Sequence, residues 1–179
     1  MLRPDHAATL GAAPTVSTLA LLLGVALALG GCASVAPPRP PAATPAQQRT
    51  ALASTLAIER QWLDSWFRGT PVRIAQRADG VLAIDVPREF CFDHGSTRIK
   101  PALGAVLDKA AESLRRRAQL RVLLLAAPED RAGATPLALQ RAQQVQEHLR
   151  DRGVAAARLV PPTVAASAAV QLRIGAAGP

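Results

Sequence analysis

The stretch Leu120-Arg121-Val122-Leu123-Leu124-Leu125-Ala126 is apolar on both sides of an extended chain. A strand of that composition is covered on both faces, which places it inside a layered α/β fold. Its surroundings alternate between helix and strand signals. Residues 50–68 repeat apolar residues at three- and four-residue steps. Leu52, Leu56, Leu63 and Phe67, with Trp62 and Trp66 beside them, predict an amphipathic helix over 50–70 that Gly69 and Pro71 end. Residues 72–77 and 81–86 alternate around the turn signal Ala78-Asp79-Gly80, the pattern of a β-hairpin closed by Pro87. After Pro101, the residues Leu103, Val106, Leu107, Ala110, Ala111 and Leu114 mark one face of a helix ending near Arg117. Thr135 is placed to cap a further helix with Pro136 at its first position. Ala138, Ala142, Val145 and Leu149 form its inner face, and Gly153 stops it. Val170–Ile174 is a last strand. The order predicts an α/β sandwich over residues 71–176: a mixed β-sheet with helices packed on one face, preceded by an N-terminal helix.

The first residues carry a different message. Arg3 precedes the apolar run Leu19–Ala28, which leads through Leu29-Gly30-Gly31 to Cys32. A basic start, a short apolar stretch and small residues before a cut site make a secretory signal peptide. A cysteine directly after two glycines resembles a bacterial lipoprotein signal. That resemblance implies that residues 1–31 are removed and that Cys32 carries palmitate and other acyl chains as the first residue of the mature protein. An uncleaved membrane-spanning helix is the alternative, but it needs roughly twenty apolar residues, and this run is shorter and broken by glycine. Each buried lipid methylene contributes about 0.8 kcal/mol, so several chains anchor firmly. Ala33 stands where an inner-membrane retention signal would have Asp, and the resemblance then implies an outer-membrane anchor with the domain in the periplasm. Residues 32–49 hold Pro37, Pro38, Pro40, Pro41 and Pro45 among alanines and read as an extended, semi-rigid tether. Without residues 1–31, 148 of the 179 residues remain, enough for one domain with its own core.

The chain has 21 Lys+Arg against 13 Asp+Glu, a net charge of +8. Two readings stand: attraction to anionic envelope polymers or lipid headgroups, or a plain abundance of Arg. The basic residues are scattered except Arg115-Arg116-Arg117, where cations complement the end of a helix. The interleaved aromatics of a nucleic-acid binder are missing, so no nucleic-acid partner is expected. With Cys32 lipidated, Cys91 has no intramolecular partner and reads as a buried, inert thiol. No nucleophile elbow and no Cys/His cluster of metal-binding spacing occurs, so neither an enzyme, a metal nor a cofactor is expected. His94 lies beside Asp93 in a loop, and His148 is expected in solvent. The Trp62/Trp66 helix is either packed on the domain or offers a surface to an envelope protein or the membrane interface.

Three motifs follow one another along the chain. The first is Phe92-Asp93-His94-Gly95-Ser96-Thr97-Arg98-Ile99-Lys100-Pro101 before the Leu103 helix. The second is the 120–126 strand running into Asp130-Arg131-Ala132-Gly133. The third is Leu137-Ala138-Leu139-Gln140-Arg141-Ala142-Gln143-Gln144-Val145 with Leu149. In this order they resemble the OmpA-like peptidoglycan-binding domain over roughly residues 80–174. The resemblance implies that Asp130 and Arg141 bind the diaminopimelate of the peptidoglycan stem peptide. A carboxylate suits the ligand's ammonium, and a guanidinium suits its carboxylate through paired hydrogen bonds. The chain departs from the family before the Asp, where Ala127-Pro128-Glu129 adds a second acid, and in a shorter loop between Asp130 and Arg141. Two functions follow: an outer-membrane lipoprotein that links envelope layers by holding peptidoglycan, or a module that lost the glycan and serves protein interaction in the periplasm.

Overall fold

A computed structural model describes residues 44–131 and 136–176. The signal segment, Cys32, most of the tether and Thr135 lie outside the described residues.

The first element, α1 (Pro45–Phe67), starts inside the stretch read as tether. The reason is a capping box. The Thr44 side chain accepts from the Gln47 backbone N–H at 3.3 Å, and the Thr44 N–H donates to Gln47 Oε1 at 2.8 Å. Pro45 at the first helical position needs no donor there. The helix therefore begins five residues before the apolar repeat does. The predicted hairpin follows as β1 (Arg73–Gln76) and β2 (Leu82–Pro87). Asp79 Oδ1 accepts from the Val81 N–H at 3.1 Å and holds the turn. Next come α2 (Pro101–Arg116), β3 (Leu120–Ala127) and α3 (Pro136–Asp151). Gly153, at φ 85°, ends the last helix in a left-handed step that only glycine takes without strain. A two-residue strand with no pattern in the sequence, β4 (Thr163–Val164), precedes β5 (Ala169–Ala176).

The strand order is β1-β2-β5-β3-β4, with β3 and β4 parallel and the other pairs antiparallel. This is the mixed sheet expected. Ile84 pairs with Leu172, and Val86 with Val170, on the face toward the helices. Ala83, Asp85, Gln171 and Arg173 occupy the other face, where Arg173 Nη1 meets Asp85 Oδ1 at 2.7 Å. The register of β3 slips at Leu123. A Cβ on Gly175 would stand 2.7 Å from Leu123 Cδ1, so a larger residue there would have to push that exposed side chain aside.

The helices form one layer, α1 against β1 and α2, and α3 against α2, β3 and β4. Among the described residues, the buried core runs from Leu56 to Ile174, with Leu52 packed against it. α1 joins that core through Leu56 and Leu63 and through the buried Glu59. The helix is docked on the domain. Its N-terminal turn sits beside Asp79, Gln119 and Ala176. Its C-terminal end lies beside Val72 and Arg73.

Candidate functional site at the Asp130–Arg141 pair

Pro128 continues β3 into the loop that carries Glu129 and Asp130. From the second turn of α3, Arg141 reaches back toward that loop. Its Nη1 lies 2.8 Å from Asp130 Oδ1. The structure thus brings together the two residues that the family pattern selected. Their setting differs from a pair waiting for ligand. The Arg141 side chain has no solvent exposure. It donates from Nε to Ser96 O at 2.9 Å, from Nη1 to Pro128 O at 3.0 Å and from Nη2 to Asp93 O at 3.0 Å. The Phe92 ring centroid lies 4.9 Å from its Cζ. One guanidinium stitches the 93–96 loop to the end of β3.

Asp130 is the member that reaches the surface, with 13% of its side chain exposed. Its Oδ2 accepts from the Gly95 N–H at 2.6 Å. The Arg141 hydrogen bond, helped by Gly95, outweighs burial and holds the Asp130 carboxyl below its ordinary range. The carboxylate is therefore ionised, fixed in direction and next to solvent. Around it, His94 and Gly95 are exposed. Asp93 pairs with Lys100 at 3.0 Å.

Two supports were invisible in the sequence. Arg88 Nη1 donates to Glu129 O at 2.9 Å and to Asp130 O at 2.7 Å. It lies 42 residues before Asp130, and no local pattern connects them. Glu129, read as a second charge beside the site, turns its Oε1 to the Ala138 N–H at 3.0 Å and so serves the start of α3. The expectation for His148 is corrected. Its Nε2 lies 2.7 Å from Asp108 Oδ1, which Arg152 Nε also approaches at 2.9 Å, because α2 and α3 pack side by side. Cys91 is fully buried, and burial pushes its thiol up to about 12, so it stays protonated. Among the described residues, no group of His, Cys, Asp or Glu has the arrangement of a metal site. Also among them, no helix is long and apolar enough to cross a membrane.

The Asp130 carboxylate and the one at Glu59 give the fold an acid limit. Burial opposes the Glu59 charge, but hydrogen bonds from Ser113, Arg117 and Arg116 win, and its pKa is lowered. Unfolded, the two groups titrate near 4.5 and 3.8. Their lowered folded values mean that the unfolded chain binds more protons in this range. The stability they supply is complete above about pH 5 and falls as pH drops through the folded values. Thermal unfolding between pH 3 and pH 7 is expected to show a steep acid limb, flattened in Glu59→Gln and in Asp130→Asn.

The model of the OmpA family matches residues 91–173. Those residues are an OmpA-family domain. The match begins at Cys91, after the hairpin, and ends within β5, so β1, β2 and α1 are joined to the OmpA-family stretch by the sheet and core. A MotB-like protein from Desulfovibrio vulgaris has the same fold, at 17% identity and TM-score 0.58, covering 74% of this chain and 98% of that one. The periplasmic domain of Helicobacter pylori MotB follows at 13% identity and TM-score 0.50, covering 62% of this chain and 83% of that one. A search of curated proteins finds no match.

Proposed function

We propose that this protein is an outer-membrane lipoprotein, anchored through Cys32, whose OmpA-family domain holds peptidoglycan noncovalently and so links envelope layers. The observation that carries this reading is the Asp130–Arg141 contact at 2.8 Å, tied to the 93–96 loop. These are the positions that match the family's ligand-holding Asp and Arg. The enclosure of Arg141 divides the roles. Asp130 meets the ammonium of the diaminopimelate, in an orientation that Arg141 and Gly95 hold. Arg141 acts as a positioning residue, because its donors already serve Ser96, Pro128 and Asp93. The polarity of the fold supports a link. The tether joins α1 at the Asp79 end of the sheet, whereas Arg88, at the opposite end of β2, holds the Asp130 loop.

A sacculus pull-down with residues 33–179 tests the wall contact. Wild type is expected to co-sediment, and free diaminopimelate to release it. Asp130→Asn is expected to bind at least about tenfold more weakly, the loss of one charge-assisted contact, while its circular dichroism spectrum remains native. Wild-type binding that diaminopimelate does not compete with would sink the site. The second reading, an interaction module without glycan, draws on the same zero exposure of Arg141. It predicts no co-sedimentation at all.

A further inference from the structure

Helix α1 carries two apolar stripes. Leu52, Leu56, Leu63 and Phe67 pack on the core. Ile58, Trp62 and Trp66 recur every four residues on another side, with Ile58 56% and Trp66 55% exposed. The two indole centroids lie 6.3 Å apart, edge to face. Helix α2 sets cations on the rings. Lys109 Nζ is 3.8 Å from the Trp66 centroid, and Arg116 Cζ is 3.8 Å from that of Trp62. Those contacts fix the indoles and leave Trp66 open to solvent, while Trp62 is half-buried and also packs against the core. Core packing accounts for neither Ile58 nor Trp66.

We infer that this face docks on an anionic lipid bilayer. The inference rests on the lipid anchor proposed at Cys32. Thr44 lies twelve positions after Cys32. At about 3.1 Å per residue an extended chain of that length spans roughly 37 Å. The anchored domain therefore meets the membrane at an effective concentration on the order of millimolar, where a weak contact suffices. Indoles favour the headgroup level, with the ring in apolar surroundings and the N–H wet. Lys109 and Arg116 stand beside them, each also paired with Glu112, and Arg116 with the buried Glu59. Arg3 and Asp5 cancel, so loss of residues 1–31 leaves the chain's net charge of +8, a long-range attraction to anionic headgroups that is not confined to this face. Three side chains are too few for a stable protein interface, which needs roughly 800 Å² per partner. A tethered bilayer contact has no such requirement.

Both tryptophans of the chain lie on this face, so intrinsic emission reports it alone. Residues 33–179, without lipid, are titrated with vesicles of phosphatidylcholine containing phosphatidylglycerol and brominated acyl chains. Quenching and a blue shift are expected, saturating only at millimolar lipid and weaker on pure phosphatidylcholine. Ile58→Ser with Trp66→Ala is expected to lower partitioning about tenfold or more, as read by co-sedimentation. No quenching at any lipid concentration overturns the inference. So does a blue shift that follows protein concentration and ignores lipid, which would assign the face to a second copy. The anchor is judged apart from this, by whether the full chain fractionates with membranes and Cys32→Ala abolishes its acylation.

Discussion

Arg141→Met is expected to destabilise the domain by about 3–5 kcal/mol, the cost of breaking a buried ion pair from one side. Methionine keeps much of the volume and the contact with Phe92, so the loss is mainly polar. The Asp130 carboxylate loses its counter-ion, and the carbonyls of Asp93, Ser96 and Pro128 lose their donors. Urea denaturation checks this as a lower midpoint at unchanged slope. Asp130→Asn in the same background should cost less than it does alone, because the charge it removes has already lost its partner. A loss under about 1 kcal/mol for Arg141→Met would show that the guanidinium is not enclosed. The result separates structure from recognition at this site: Arg141 governs whether the loop exists, and Asp130 governs what the loop can bind.

The elements were legible where the chain itself carries the period. The inner face of α3 and the Asp79-Gly80 turn follow from local spacing, and so does the 120–126 strand as a strand, though not its expected cover on both faces. The helices form one layer, and Leu123, on the other face, is exposed. What was not legible came from partners distant in sequence or from very short elements. β4 has two residues and exists because β3 offers it an edge. Thr44 and Gln47 stand ahead of any apolar repeat, so proline density outweighed the capping pair. Arginine use misled most. Arg115-Arg116-Arg117 read as charge at a helix end, yet Arg116 and Arg117 grip Glu59, and Arg115 donates to Arg152 O. Arg88 and Arg158 likewise serve backbone carbonyls, Arg158 those of Leu114, Arg117 and Leu120. Much of the basic excess is therefore structural, since a guanidinium has enough donors to close several chain ends at once. The candidate pair itself was legible only through the family pattern. Locally, Asp130 is a turn residue and Arg141 a helical charge.

Glu59→Ala is expected to cost roughly 2–3 kcal/mol and to loosen α1 before the rest of the domain. The Glu59 side chain is 1% exposed and accepts from Ser113 Oγ at 2.6 Å, Arg116 Nη2 at 2.8 Å and Arg117 Nε at 2.8 Å. The loss is smaller than for Arg141 because the arginine side chains, 39% and 37% exposed, regain water when the acid goes. Ser113 does not, as it is fully buried. Hydrogen exchange is the direct measure: amides of α1 should lose protection while those of β3 and β5 keep theirs. Uniform loss of protection across the sheet would mean that α1 and the sheet unfold as one unit. The consequence reaches function on the proposed reading. The tether enters at Thr44, so any pull between lipid and wall passes through α1 into the sheet. Glu59, with Leu56 and Leu63, is the joint that carries it. A Glu59→Ala chain should keep its sacculus binding in solution, because the Asp130 loop is untouched, yet lose the firm coupling between its two ends.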